Sequence, residues 1–89
     1  MSDWSWEFMA DAAEVVAGLP PSASRQVEVI ARRLTDAASV KYSGEPSVEE
    51  SGVSRLQSFA EGPWIVWFME HQRWRTVLIT RITNPWLEP

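Results

Sequence analysis

The chain has no cysteine. A disulfide framework, a thiolate nucleophile and a cysteine-based zinc site are all excluded. Histidine is scarce as well, with His71 standing alone. One imidazole is too few for the usual all-protein transition-metal site, so neither a metal nor a cofactor is expected. Long hydrophobic runs are missing. The longest, Trp64 to Met69, stops after six residues, whereas a membrane-spanning helix needs about 20. The N-terminal MSDWSWEFMAD is acidic, with no basic region ahead of an apolar stretch. That is not the pattern of a signal peptide. The expectation is a soluble, cytoplasmic protein that does not engage a membrane. Basic residues are outnumbered, giving a net charge of −4. Phosphate contacts need Lys and Arg, so indiscriminate nucleic-acid binding is disfavoured.

What is present is aromatic mass on a short chain. The 89 residues make one domain, 1–89. A chain of this length buries only about 60–65% of its unfolded surface. Large aromatics thicken such a core, each burying roughly 150–250 Å². The six tryptophans therefore have a structural reading before any functional one. Charge is unevenly spread. Residues 1–24 hold Asp3, Glu7, Asp11 and Glu14 and no base, while residues 71–81 hold Arg73, Arg75 and Arg81 and no acid. A basic strip on an acidic body is compatible with this pattern.

Trp4-Ser5-Trp6-Glu7-Phe8 alternates large apolar and polar residues, which predicts a strand with one buried face. Asp11 to Glu14 resembles a capping box that opens a short first helix. Gly18 is placed to end that helix in the left-handed conformation. Pro20-Pro21 separates it from a second helix over Ser22–Ala38. There Ala23, Val27, Ile30, Leu34 and Ala37 recur at steps of three and four, the spacing of one apolar stripe. Residues 39–52 read as a fourteen-residue loop of Ser, Gly and Pro, long for a compact domain. Three strands follow, at Val53–Phe59, Trp64–Met69 and Trp74–Thr83, with turns at 61–63 and 70–73. The unbroken apolar run Trp64–Met69 suggests a strand covered on both faces. Short links between these strands imply an antiparallel meander. The fold class expected is α+β, in the order β-α-α-β-β-β, with both helices on one face of an antiparallel sheet.

Five ordered pieces carry a family likeness. They are the first strand and acidic helix WEFMADAAEVVAGL, the break and long helix LPPSASRQVEVIARRL, the strand SRLQSF, the opening GPWIVWF and the final strand VLITRI. Together they resemble the RelE/ParE superfamily of bacterial type II toxins, over nearly the whole chain from Trp6 to about Trp86. The resemblance implies the RelE-like fold and a toxin held by a cognate antitoxin protein. Ribosome-dependent members cleave mRNA by attack of the ribose 2′-hydroxyl on the adjacent phosphate. That reaction needs cations at the phosphate, a base for the hydroxyl and an acid for the leaving oxygen. Other members inhibit gyrase. Carried onto this chain, the family's basic strand residue falls on Arg55 and its terminal-strand arginine on Arg81. These are the catalytic candidates. The C-terminal aromatic falls near Trp86, which can stack on a base but cannot donate a phenolic proton. The family's central-strand arginine falls on Ile65, and the histidine before its last arginine falls on Thr80. Loss of one such cation costs about 10²–10³ in rate.

Arg73, Arg75, Trp86 and His71 are candidate contacts to substrate or partner. His71 reads either as a general acid or base in a hairpin or as a polar turn residue. Exposed tryptophan beside arginine is a common hot-spot composition at protein interfaces. Three functions are therefore in play. One is a RelE/ParE-type toxin acting on ribosome-bound mRNA or on gyrase. The second is a non-catalytic protein-binding module on the same fold, forming a homodimer or a heterocomplex. The third is an unrelated small α+β enzyme using His71 with Glu70 or Glu49.

Overall fold

A computed structural model describes residues 3–42 and 52–84. The order is β1 (Ser5–Phe8), α1 (Ala10–Ala17), α2 (Pro21–Lys41), β2 (Gln57–Glu61), β3 (Trp64–His71) and β4 (Thr76–Thr83). The protein is α+β, with two helices and a four-stranded mixed sheet in the order β1-β4-β3-β2. The fully antiparallel sheet expected from the sequence is corrected on one point. The last three strands do form an antiparallel meander, but β1 pairs with β4 in parallel. A parallel neighbour needs a long crossover, and here everything from α1 to β3 supplies it. Among the described residues no helix is long and apolar enough to cross a membrane.

One face of the sheet meets the helices. Trp64, Val66, Phe68, Val77, Ile79 and Ile82 are buried there with Ala12 of α1 and Ala23, Val27, Ile30, Ala31, Leu34 and Ala38 of α2. Trp6, Phe8 and Phe59 pack against this cluster. The indole of Trp64 donates to Gln26 Oε1 of α2 at 2.8 Å, which satisfies its only polar atom. Trp4, also buried, stacks on Tyr42 with ring centroids 5.6 Å apart.

Several local expectations change. α1 begins after Met9 rather than in an Asp11 capping box, and Met9 makes no side-chain cap. Asp11 instead sits in the first turn, where a negative charge suits the helix dipole. Gly18 closes α1 in a right-handed conformation, with φ −90°. α2 runs on to Lys41, and Ala38 rather than Ala37 completes its buried stripe. A helical step from Leu34 makes either residue suitable, and packing selected Ala38. Val53 contributes only an isolated bridge to His71, so β2 starts four residues later than expected. β3 continues through Glu70 and His71, and the turn shifts to residues 72–75. The β2–β3 connection is a two-residue hairpin loop, with Gly62 at φ +57° in its first position. Glycine reaches that conformation without strain.

Candidate interaction surface

The second face of the sheet is not covered by either helix. Strand alternation sends Ile65, Trp67, Met69 and His71 of β3 to this side, opposite the buried Trp64, Val66, Phe68 and Glu70. The registers Met69↔Leu78 and His71↔Thr76 add Leu78 and Thr76 from β4. Glu7 of β1 lies opposite Leu78, and Ser58 and Ala60 of β2 lie opposite Trp67 and Ile65. Ile65, Trp67, Met69 and Leu78 are all half-buried. Solvated faces of sheets usually alternate to polar residues. This one places four large apolar side chains together instead.

An irregularity places the charge on that face. The pairing shifts between Phe68 and Trp67, so that Phe68 faces Ile79 and Trp67 faces Arg81. Thr80 is the extra residue of a β-bulge, and its hydroxyl donates to the Trp67 carbonyl at 3.2 Å. Period-two counting puts Arg81 on the side of Val77 and Ile79. The bulge advances the count by one, buries Ile82 and turns Arg81 outward. The Arg81 guanidinium then lies over the Trp67 ring, 5.5 Å from its centroid, a cation–π arrangement. At the other end of β3, the His71 and Trp74 rings stack at 4.0 Å and 2°. His71 Nδ1 accepts from the Trp74 backbone N–H at 3.2 Å. Trp74 stays 68% exposed, so the apolar strip ends in a large open aromatic.

On the helix side, one acid is buried. Glu70 is 4% exposed. Its Oε1 accepts from Lys41 Nζ at 3.0 Å, Tyr42 Oη at 2.9 Å and Gln57 Nε2 at 2.9 Å. Its backbone N–H donates to Ser54 Oγ, and its carbonyl accepts from Ser54 N, both at 2.9 Å. Burial opposes ionisation of Glu70. The hydrogen bonds from Gln57, Lys41 and Tyr42, with the charge of Lys41, outweigh it and hold the carboxyl below its ordinary range. The Glu70 hydrogen bond raises Lys41. Burial, and then the same carboxylate, raise Tyr42. A carboxylate kept ionised and saturated with donors is poorly suited to proton transfer near neutrality. It acts as a clamp, joining the end of α2, the start of β2 and β3. The clamp borders a cleft of about 340 Å³ with an apolar floor of Leu34, Phe59 and Phe68. Glu70 is a strand residue, not part of the turn expected at 70–73. The signal was there, because Glu70 continues the Trp64, Val66, Phe68 alternation.

The predicted residues fall as follows. Arg55 is exposed in the segment before β2, not on a strand. Arg81 is exposed on β4, with β3 between it and β2. Two strand spacings of about 4.8 Å separate those strands before any offset along them, so Arg55 and Arg81 are not brought together. Arg73 is exposed in the 72–75 turn. Arg75 belongs to that turn as well, at φ +48°, and forms an ion pair with Asp3. His71 is a strand residue committed to Trp74 rather than a turn residue. Trp86 and Glu49 lie outside the described residues. Ile65 and Thr80 occupy the open face and the bulge. Among the described residues, no three His, Asp or Glu side chains gather into a set that could hold a metal ion. Compared with protein-family models, curated proteins and solved structures, the chain matches none.

Proposed function

We propose that the chain is a non-catalytic protein-recognition module, and that its contact surface is the open face of the sheet. One observation carries this reading. Ile65, Trp67, Met69 and Leu78 form a continuous apolar strip that ends at Trp74 and is flanked by Arg81. Tryptophan and arginine around an apolar centre are the residue types that dominate binding energy at protein interfaces. Separation of Arg55 from Arg81, with Ile65 and Thr80 in place of an arginine and a histidine, argues against phosphate chemistry at this face.

Footprinting tests the reading. Carbene labelling of Trp67, Met69 and Trp74 should fall when the face is occupied, in concentrated protein or in a native extract, relative to dilute purified protein in buffer. Primer extension on translated mRNA should show no cleavage with or without ribosomes. Ribosome-dependent cleavage that Arg81→Ala abolishes would overturn the proposal.

A second reading, a RelE/ParE-type toxin neutralised by an antitoxin, is favoured by the β-α-α-β-β-β order with both helices on one face. Expression alone should then arrest bacterial growth, and Arg81→Ala should relieve the arrest. Harmless high-level expression rules this reading out.

A further inference from the structure

We infer that the occupant of the open face is a second copy of this chain, docked face to face about a two-fold axis. The inference rests on the proposed role of that face as the contact surface, and it adds the partner.

Charge carries the argument. Among the described residues, the open face holds one acid, Glu7 on β1, and one arginine, Arg81 on β4. Both are exposed. Neither joins an ion pair among the described residues, where the pairs are Arg33–Glu61, Lys41–Glu70 and Arg75–Asp3. Glu7 is level with Leu78, whereas Arg81 lies one strand over and three residues further along. The gap between them is on the order of 10 Å. Glu7 and Arg81 therefore do not satisfy each other within one protomer. In a two-fold interface, residue i meets residue j and j meets i. A face with one acid and one base around an apolar centre complements itself in that arrangement. Glu7 of each protomer then meets its partner's Arg81, with Leu78 between the two pairs and Met69 beside it on the next strand.

Nucleic acid fits this face less well. A single arginine with an opposing carboxylate cannot neutralise a run of phosphates, and the net charge of the chain is −4.

Area sets the strength. β1 and β2 have only four and five residues against eight in β3 and β4, so at about 3.3 Å per residue and a spacing of about 4.8 Å the face measures about 400 Å² per protomer. Two such faces bury about 800 Å², below the range of a stable specific interface and in that of a weak, transient one. The dimer should therefore be reversible, with dissociation in the micromolar range or weaker.

Sedimentation velocity from micromolar to millimolar protein tests the inference. Wild-type mass should rise toward twice the monomer value with concentration. Glu7→Arg and Arg81→Glu should each weaken association by about tenfold or more, because each sets like charges together twice. The double variant Glu7→Arg/Arg81→Glu should recover it to within a few-fold. Both positions are exposed, and a circular dichroism melt confirms that each variant is folded. A monomer at millimolar concentration overturns the inference, as does a dimer indifferent to both reversals. The footprint in extract separates this failure from failure of the functional reading. Protection of Trp67 on a monomeric protein leaves the contact face standing with another protein as occupant. A monomer without protection removes both. A monomer whose tryptophan fluorescence is quenched by single-stranded RNA also overturns the inference, in favour of a nucleic-acid face.

Discussion

Arg81 lies over the ring of Trp67, 5.5 Å from its centroid, because Thr80 adds one residue to β4 between the register pairs Phe68↔Ile79 and Trp67↔Arg81. The bulge decides which side of the sheet receives the cation. If Thr80 were kept but paired regularly, Arg81 would point among Val77, Ile79 and the helices, where an unpaired charge is costly.

Deletion of Thr80 provides a test. Removal of the extra residue leaves Ile79 inward, Arg81 outward and Ile82 inward, so the alternation survives. The variant should fold, losing about 1 kcal/mol with the hydroxyl bond to the Trp67 carbonyl. For a domain of this size that is a melting-temperature drop of about 4–8 °C. A chain that fails to fold would show that the bulge does more than set the register.

Substitution at Glu70 separates charge from shape. Glu70→Ala leaves the Tyr42 hydroxyl and the Gln57 amide without their acceptor. It should cost about 3 kcal/mol in urea denaturation. Glu70→Gln keeps the size and one acceptor oxygen, and should cost about half as much. Equal losses would mean that the ionised form contributes nothing.

The same group dictates an acid limb. Glu70 titrates below the ordinary carboxyl value of 4.5. Its contribution to stability is complete above that pH and is lost as pH falls through the lower folded value. Tyr42 and Lys41 titrate above their ordinary values of 10.0 and 10.5. Their contribution is complete below pH 10.0 and is lost as pH rises through the folded values. Urea midpoints measured against pH should fall at both ends. In Glu70→Gln the acid limb should be lost and the alkaline limb reduced, with the part set by burial of Tyr42 remaining. An unchanged acid limb would place the sensitive carboxylate elsewhere.

Arg75 holds a left-handed backbone conformation, with φ +48°, which costs a non-glycine residue roughly 1–2 kcal/mol. Its ion pair with Asp3 is exposed, and such pairs are worth about 0–1 kcal/mol. Arg75→Gly should therefore be neutral or stabilising in a thermal melt. Arg75→Val should be destabilising, since a β-branched residue fits this region worst. A marked loss on Arg75→Gly would show that the arginine side chain anchors β1 more strongly than its exposure suggests.

Much of the fold was legible in local pattern. The steps of three and four between Ala23 and Leu34 mark the buried stripe of α2, and Pro20-Pro21 marks its start. The alternation in Trp4–Phe8 marks β1. Element order and the three-strand meander followed from short links. Of the candidate site, the strand alternation made the inward side of Glu70 legible, but not its partners. Its donors come from positions 28, 29 and 13 residues away in sequence, and no local period encodes a contact that distant.

Local sequence by itself determined what each short segment can be, because helix and strand periods depend only on neighbours along the chain. Tertiary structure decided the rest. It paired β1 in parallel with β4 across the whole crossover, and it drew Lys41, Tyr42, Ser54 and Gln57 onto Glu70. It also admitted a bulge at Thr80 that reversed the face of Arg81. Each depends on which strand lies beside which. That choice is made by burial of one shared core, and no single segment carries it.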